Sequence, residues 1–166
     1  PGETRTFGFL SPLAGETPQP QAGPGVAALD QAEQALAAEW REKLDRVDLT
    51  FEPQATAKGL RWVVTPSIAC VHSDPLLLER MVNNLVSNGI KYNRPSGEVR
   101  LSLSSAPHDA VQIMIEDTGL GMDAGQLSRL FQPFERLGRD TSAIEGTGLG
   151  LVITRSLVQA MGAEIE

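Results

Sequence analysis

The chain has 166 residues, of which 41% are hydrophobic, and this is enough to bury the core of one ordinary domain. Its formal net charge of -7 argues against a nucleic-acid partner, because such proteins carry a basic surface. No apolar run approaches the roughly 18 residues of a membrane-spanning helix, so we expect no membrane contact. The single cysteine, Cys70, excludes an internal disulfide and is consistent with a cytoplasmic location. Neither His72 nor His108 has a second ligand at metal-binding spacing, which argues against zinc.

The first third of the chain changes character several times. Residues 1–10 alternate like a strand, whereas residues 11–25 are rich in Pro, Gly and Gln and predict a linker. Residues 26–46 carry apolar side chains near helical spacing and predict a long amphipathic helix. Gly59 is typical of a helix end, and a strand is predicted over residues 60–65.

A second helix is predicted after Asp74, a good N-cap, with Pro75 at its first position. One face of this helix is apolar and predicts a core contact: Leu78, Val82, Leu85, Val86 and Gly89. The opposite face carries Asn84, Asn88 and Lys91 at i, i+4 and i+7. Amide oxygens can ligate Mg²⁺ and an ammonium can pair with phosphate. The same stripe is also typical of a solvated helix face.

Two paired strands are predicted over residues 98–104 and 110–116, and the second leads into a glycine-rich turn. Asp117 ends this strand, and Gly119 and Gly121 follow it. A carboxylate in this place can accept a hydrogen bond from an exocyclic amine. It can equally be a turn-forming aspartate.

The C-terminal third is predicted to hold a short helix from Asp123, a mobile loop over residues 135–145, and a second glycine-rich turn. This turn, residues 146–150, opens a helix that runs to Met161, and residues 163–166 begin one more strand. Glycines before a helix leave backbone N–H groups open to a phosphate. They also serve simply to let helices pack closely.

These residues occur in an order that resembles the ATP-binding catalytic domain of sensor histidine kinases. The likeness covers about Ala57 to Glu166 and includes the N, G1, F and G2 boxes of that family: Asn84, Asn88 and Lys91; Asp117, Gly119 and Gly121; Phe131 and Phe134; and Gly146, Thr147, Gly148, Leu149 and Gly150. The resemblance implies the Bergerat fold, a two-layer α/β (α+β) sandwich whose mixed β-sheet carries helices on one face. It also implies ATP and Mg²⁺ as cofactors.

The resemblance assigns a role to each matching residue. Asn88 is the implied Mg²⁺ ligand, and Asn84 lies next to it in the phosphate region. Lys91 and Tyr92 are the implied contacts to phosphate and ribose, and Asp117 is the implied adenine reader. Asn84 and Lys91 are the implied catalytic pair.

The two glycine-rich turns and the segment between them complete the implied site. Gly119 and Gly121 allow close approach to the nucleotide. Residues 123–146 are the implied ATP lid, latched by Phe131 and Phe134, with Arg136 reaching the phosphates. Residues 146–150 are the implied phosphate turn.

The implied function is transfer of the γ-phosphate of Mg-ATP to a histidine on a separate dimerisation and phosphoacceptor domain, upstream of a response regulator. Asn84 favours transfer over hydrolysis, because an amide cannot act as a general base for water. The helix over residues 26–46 is either the leading helix of the ATP domain or a remnant of the dimerisation hairpin. Two other functions are open: a non-catalytic nucleotide-binding interaction module, and a serine/threonine kinase or ATPase of the same fold.

In that family the last helix is followed by a strand, a Pro-Gly-x-Gly-Thr turn and a final strand. Residues 1–12 resemble this turn and final strand, although Thr4 replaces the second turn glycine. We therefore expect a circularly permuted domain: residues 1–10 supply the displaced C-terminal strand, 11–25 the linker, and 26–166 the rest. The alternatives are a strand exchanged with a neighbouring molecule, the tail of a preceding kinase domain, and a disordered leader.

Overall fold

A computed structural model describes residues 5–12, 46–65, 74–106, 110–135 and 147–165. Several predictions fall on other positions and so lie outside the described residues: the helix over residues 26–45, the loop over residues 136–145, Cys70, His72 and His108.

The described chain forms five strands and four helices. The strands are β1 (Arg5–Pro12), β2 (Arg61–Thr65), β3 (Glu98–Ala106), β4 (Ala110–Asp117) and β5 (Glu164–Ile165). The helices are α1, described over residues 46–57, α2 (Pro75–Lys91), α3 (Ala124–Arg129) and α4 (Gly150–Ala160). None of these helices has the length and apolar character needed to cross a lipid bilayer. In α1 the buried residues Val47, Phe51 and Ala55 are spaced by four, and Pro53 lies on the exposed side. A proline inside a helix is disfavoured, and only the end of this helix was predicted from the sequence.

The five strands form one mixed sheet in the order β2-β3-β4-β1-β5. β2 runs parallel to β3, and the other neighbouring pairs are antiparallel. β1 lies inside the sheet, where Phe9 is opposite Ile113 of β4 and also opposite Ile165 of β5. β1 extends two residues beyond the predicted strand, because Ser11 and Pro12 still pair with β4. β1 is therefore the strand that joins β5 to the rest of the described sheet.

Helices cover one face of this sheet. Alternate residues of β3 and β4 are buried, namely Val99, Leu101, Leu103, Val111, Ile113 and Ile115, and the residues between them are exposed or half-buried where described. A burial period of two means that one face of the sheet is covered. The covering side chains come from α1, α2 and α4, including Phe51, Leu78, Val86 and Val158. The predicted fold class, a two-layer sandwich with a mixed sheet, is confirmed.

The ends of the helices follow the capping signals in the sequence. Oδ1 of Asp74 accepts hydrogen bonds from the first backbone N–H groups of α2. Asp123 and Gln126 form a reciprocal capping box at the start of α3. Gly59 ends α1 with a φ of 66°, in a turn where the N–H of Leu60 donates to the carbonyl of Ala55 over 2.9 Å. The predicted helix end at Gly59 is confirmed.

The C-terminus of α2 is held by a lysine from the end of α1. Nζ of Lys58 donates to the carbonyl oxygens of Ile90 at 3.2 Å and Lys91 at 3.1 Å. The last carbonyls of a helix lack intrahelical partners and carry partial negative charge, so an ammonium stabilises them.

We expect Lys58→Met to lower the melting temperature by about 2–4 °C, because the ammonium–carbonyl contact contributes about 1 kcal/mol and the apolar stem is kept. Thermal unfolding followed by circular dichroism measures this change. Lys58→Arg, which keeps a cation, should lose less than half as much. A Lys58→Met protein that melts with the parent would show that the contact contributes no stability.

Candidate functional site

The polar stripe of α2 lies partly against α4. Asn84 and Asn88 are half-buried, whereas Lys91 is exposed at the end of the helix. Nδ2 of Asn84 donates to Oγ1 of Thr154 in α4 over 2.6 Å. Within the described parts of the chain, no hydrogen bond reaches the side chain of Asn88. The stripe is therefore not a uniformly solvated helix face, and Asn88 keeps its amide oxygen available.

The start of α4 approaches α2 at Gly150. A Cβ atom built on Gly150 would lie 2.5 Å from Oδ1 of Asn84, so a larger residue there would force the Asn84 amide to move. Leu149 is the N-cap residue, and its side chain makes no capping hydrogen bond. The first turn of α4 holds no acidic residue. Backbone N–H groups at such a helix start are suited to bind an anion.

Asp117 lies near the C-terminal end of α2. It is only 4% exposed, and its Oδ1 accepts a hydrogen bond from the N–H of Gly119 over 2.8 Å. A Cβ on Gly119 would lie 2.5 Å from this oxygen and 2.6 Å from the carbonyl oxygen of Tyr92. Leu120 also donates its N–H to the Tyr92 carbonyl, over 3.2 Å. The first glycine-rich turn is thus folded against the C-terminus of α2.

A small polar network holds this turn in place. Oγ1 of Thr118 accepts from the N–H of Glu98 over 2.8 Å and donates to Oδ1 of Asn93 over 3.3 Å. Nδ2 of Asn93 donates to the Glu98 carbonyl over 3.0 Å. A Cβ on Gly97 would lie 2.7 Å from Oγ1 of Thr118, so this turn also requires glycine. The network connects the residues after α2 to the ends of β3 and β4.

The two phenylalanines that follow α3 lie against the second glycine-rich turn and α4. The guanidinium carbon of Arg155, in α4, lies 5.0 Å from the centre of the Phe131 ring. Phe134 is 73% exposed and has a φ of 63°, a conformation that a bulky residue rarely adopts. Gly148 has a φ of 72°, and a Cβ there would lie 2.8 Å from the backbone of Phe134. Gly148 therefore permits the close approach of these two segments.

Several of the predicted site residues lie on α2 or contact it. Asn84 contacts the start of α4, and Gly89 and Tyr92 contact the Asp117 turn: a Cβ on Gly89 would lie 3.5 Å from Cβ of Asp117. Thr147 is exposed, with its Oγ1 accepting the N–H of Leu149 at 3.4 Å. Gly121 has a φ of 66° in the first turn. Arg136 and Gly146, with the rest of the predicted lid between them, lie outside the described residues.

Residues 73–166 match the family model described as histidine kinase-, DNA gyrase B-, and HSP90-like ATPase. The chain belongs to this family. The virulence sensor protein BvgS of Bordetella pertussis is 37% identical over 123 residues, which are 69% of this chain and 10% of that protein. Sensor histidine kinase RcsC of Escherichia coli K12 is 33% identical over 129 residues, 75% of this chain and 13% of that protein. This ATPase domain therefore spans only a small part of the curated relatives that it matches.

Solved structures agree with this assignment. The mycobacterial sensor histidine kinase MprB superposes with a TM-score of 0.63 at 27% identity, covering 74% of this chain and 79% of that chain. Full-length ShkA in complex with AMPPNP gives a TM-score of 0.59 at 28% identity over 72% of this chain and 24% of that chain. The chain is an ATP-binding catalytic module of the kind found in two-component sensor histidine kinases. The family predicted from the sequence is confirmed, and the roles of individual residues stay predictions.

Several residues that support the site carry no signal in the linear motifs. Four of them were not predicted to belong to it, because each acts through a contact between elements distant in the sequence: Thr154, Asn93, Thr118 and Arg155. One signal was available for Thr154: it is a polar residue one turn after Gly150, on the same face as the buried Val158.

Proposed function

We propose that this module donates the γ-phosphate of ATP to a histidine on a separate phosphoacceptor domain. The strongest support for the proposal is the position of two groups next to α2. The buried carboxylate of Asp117 lies near the C-terminal end of α2, in the turn that contacts Tyr92. The uncapped start of α4 lies against Asn84 of the same helix. The carboxylate can accept a hydrogen bond from the exocyclic amine of a nucleotide, and the backbone N–H groups at the start of α4 can donate to its phosphates. Because the proposed donor is cellular ATP, the proposal places the module in the cytoplasm.

Within this proposal each residue takes the role that the resemblance implied. Asp117 accepts a hydrogen bond from the exocyclic amine of adenine, and Gly119 and Gly121 allow the loop to approach the base. Lys91 and Tyr92, at the end of α2, contact phosphate and ribose. The remaining members of the set bind or enclose the phosphates: Asn84, Phe131, Phe134, Arg136, Gly146, Thr147, Gly148, Leu149 and Gly150.

The residues present fit a magnesium ion that arrives with the nucleotide. The described residues hold no cluster of three or more acidic, His or Cys side chains that could form a metal site by themselves. Asn88 offers one half-buried amide oxygen that no described residue uses. Mg²⁺ prefers oxygen ligands, keeps several waters and is commonly held by one or two protein groups together with substrate phosphates. When bound, the ion would neutralise phosphate charge.

We expect Asn88→Ala to remove most of the gain in ATP affinity that Mg²⁺ provides, while ATP binding in EDTA changes less than about twofold, since a single neutral ligand to the ion is lost. Isothermal calorimetry with and without Mg²⁺ measures both values. Ser87→Ala, at the neighbouring half-buried position of α2, is the matched control and should behave like the parent. Equal Mg²⁺ enhancement in Asn88→Ala and the parent would reject Asn88 as the ligand.

Phosphoryl transfer is tested with labelled ATP and a phosphoacceptor hairpin from a sensor histidine kinase. Label that is lost in acid but stable in alkali supports phosphohistidine and the proposed reaction. Acid-stable label would instead identify a serine or threonine kinase. ATP binding without any transfer would favour a nucleotide-binding interaction module. A response regulator, as the receiver of the phosphohistidine, is the partner that the proposal implies next.

We also propose that residues 1–10 and the later parts of the chain form one domain, in which β1 takes the place of the final strand expected from the family. The position of β1 between β4 and β5 supports this, because a final strand after β5 would pair with β5 as its hairpin neighbour. The antiparallel register to both neighbours supports it as well. The domain would then be circularly permuted.

A further inference from the structure

Thr154 is the most deeply buried polar residue among those that the structure describes, with 1% of its surface exposed. It lies one turn into α4, between the start of the helix at Gly150 and the buried Val158. An apolar residue would satisfy a core position of this kind without any partner, whereas a buried hydroxyl requires hydrogen bonds. Its Oγ1 accepts a hydrogen bond from Nδ2 of Asn84 over 2.6 Å. The hydroxyl therefore has a specific partner on the proposed phosphate side of α2.

This hydrogen bond anchors the Asn84 amide. An amide presents two donors on its nitrogen and an acceptor on its oxygen, and in the structure the nitrogen donates to Oγ1 of Thr154. With Nδ2 held in this way, Oδ1 lies against Gly150, where an added Cβ would approach it to 2.5 Å. The oxygen is thus directed to the start of α4.

We propose that Thr154 is a positioning residue that, together with Gly150, forms a seat for the Asn84 amide and keeps its oxygen toward the phosphate end of the site. The inference rests on the proposed function, because the value of this orientation lies in nucleotide binding. Gly150 gives room for the amide, and Thr154 anchors its nitrogen, so that the oxygen lies at Gly150. The third glycine of the second turn is therefore required by Asn84 and not by a positive φ, because no positive φ is found at Gly150.

The test is a double-mutant cycle on ATP affinity. Thr154→Val keeps the shape of the side chain but removes the acceptor, so Nδ2 of Asn84 loses its partner and the amide can rotate. We expect about tenfold weaker Mg-ATP binding in calorimetry, and near-parental binding for Thr154→Ser, which restores the hydroxyl. In an Asn84→Ala background the valine substitution should change the affinity less than about twofold, because the amide is gone.

Three results would overturn the seat: parental affinity in Thr154→Val, equal losses for valine and serine, or the same loss in the Asn84→Ala background. A second measurement does not depend on nucleotide. The side-chain ¹⁵NH₂ resonance of Asn84 should shift in Thr154→Val and stay near the parental position in Thr154→Ser. If the parent binds no ATP, the proposed function fails, while this resonance still decides whether the hydroxyl orients the amide.

Discussion

A chain that lacks residues 1–13 is expected to lose its cooperative thermal transition, or to melt at least about 8 °C below the parent. β1 pairs with β4 along eight residues and is the strand between β4 and β5, so its removal opens the sheet in its interior. Loss of a strand that is paired on both sides belongs with the largest destabilisations, about 4 kcal/mol or more. At roughly 2–4 °C per kcal/mol for a domain of this size, the expected shift exceeds any error of measurement.

Two controls separate the strand from the mere shortening of the chain. Deleting residues 14–20, which lie within the predicted linker, should leave the melting temperature within about 2 °C of the parent, because longer or shorter loops change stability little. A synthetic peptide of residues 1–13 added to the truncated chain should restore part of the transition by filling the place between β4 and β5. An unchanged melting temperature in the truncated chain would reject β1 as an integral strand and the permuted domain with it.

Asp117→Asn is expected to weaken ATP binding by about ten- to a hundredfold without unfolding the protein. The asparagine can still accept the N–H of Gly119 through Oδ1, so the turn is kept. The substitution replaces one carboxylate oxygen by an NH₂ group, which cannot accept a hydrogen bond from the exocyclic amine of adenine. A hydrogen bond to a charged group contributes about 1.5–3 kcal/mol, and this range gives the expected loss. Calorimetry with ATP, next to a thermal melt of the same sample, measures both effects.

Asp123→Asn is the matched control for this substitution. Asp123 is an exposed carboxylate at the first position of the implied lid, where its side chain is engaged in capping α3, and asparagine is an equally good N-cap. Its ATP affinity should equal that of the parent. Parental affinity in Asp117→Asn as well would remove Asp117 from the base-binding role. Loss of affinity in both variants would indicate a general effect of charge and not a specific contact.

Local features of this protein were determined largely by the sequence. Asp74-Pro75 predicted the start of α2, and the 3.6-residue period predicted its buried face, because both depend on contacts within one turn. The alternation in residues 110–116 predicted β4 in the same way. The boxes from Asn84 to Gly150 were sufficient to predict the family, which the comparison of residues 73–166 confirmed.

The tertiary structure decided which of these local features meet. No spacing in the sequence indicates that Thr154 accepts a hydrogen bond from the amide of Asn84, 70 residues earlier. Nor does any spacing indicate that Lys58 caps the end of α2. The family resemblance predicted that residues 1–10 supply the displaced final strand, but not that this strand lies between β4 and β5. Strand pairing of this kind depends on partners about 100 residues away or more. Helix caps and periodicity are local and are readable from the chain. Helix contacts and strand order depend on how the whole core is packed, so only the folded molecule determines them.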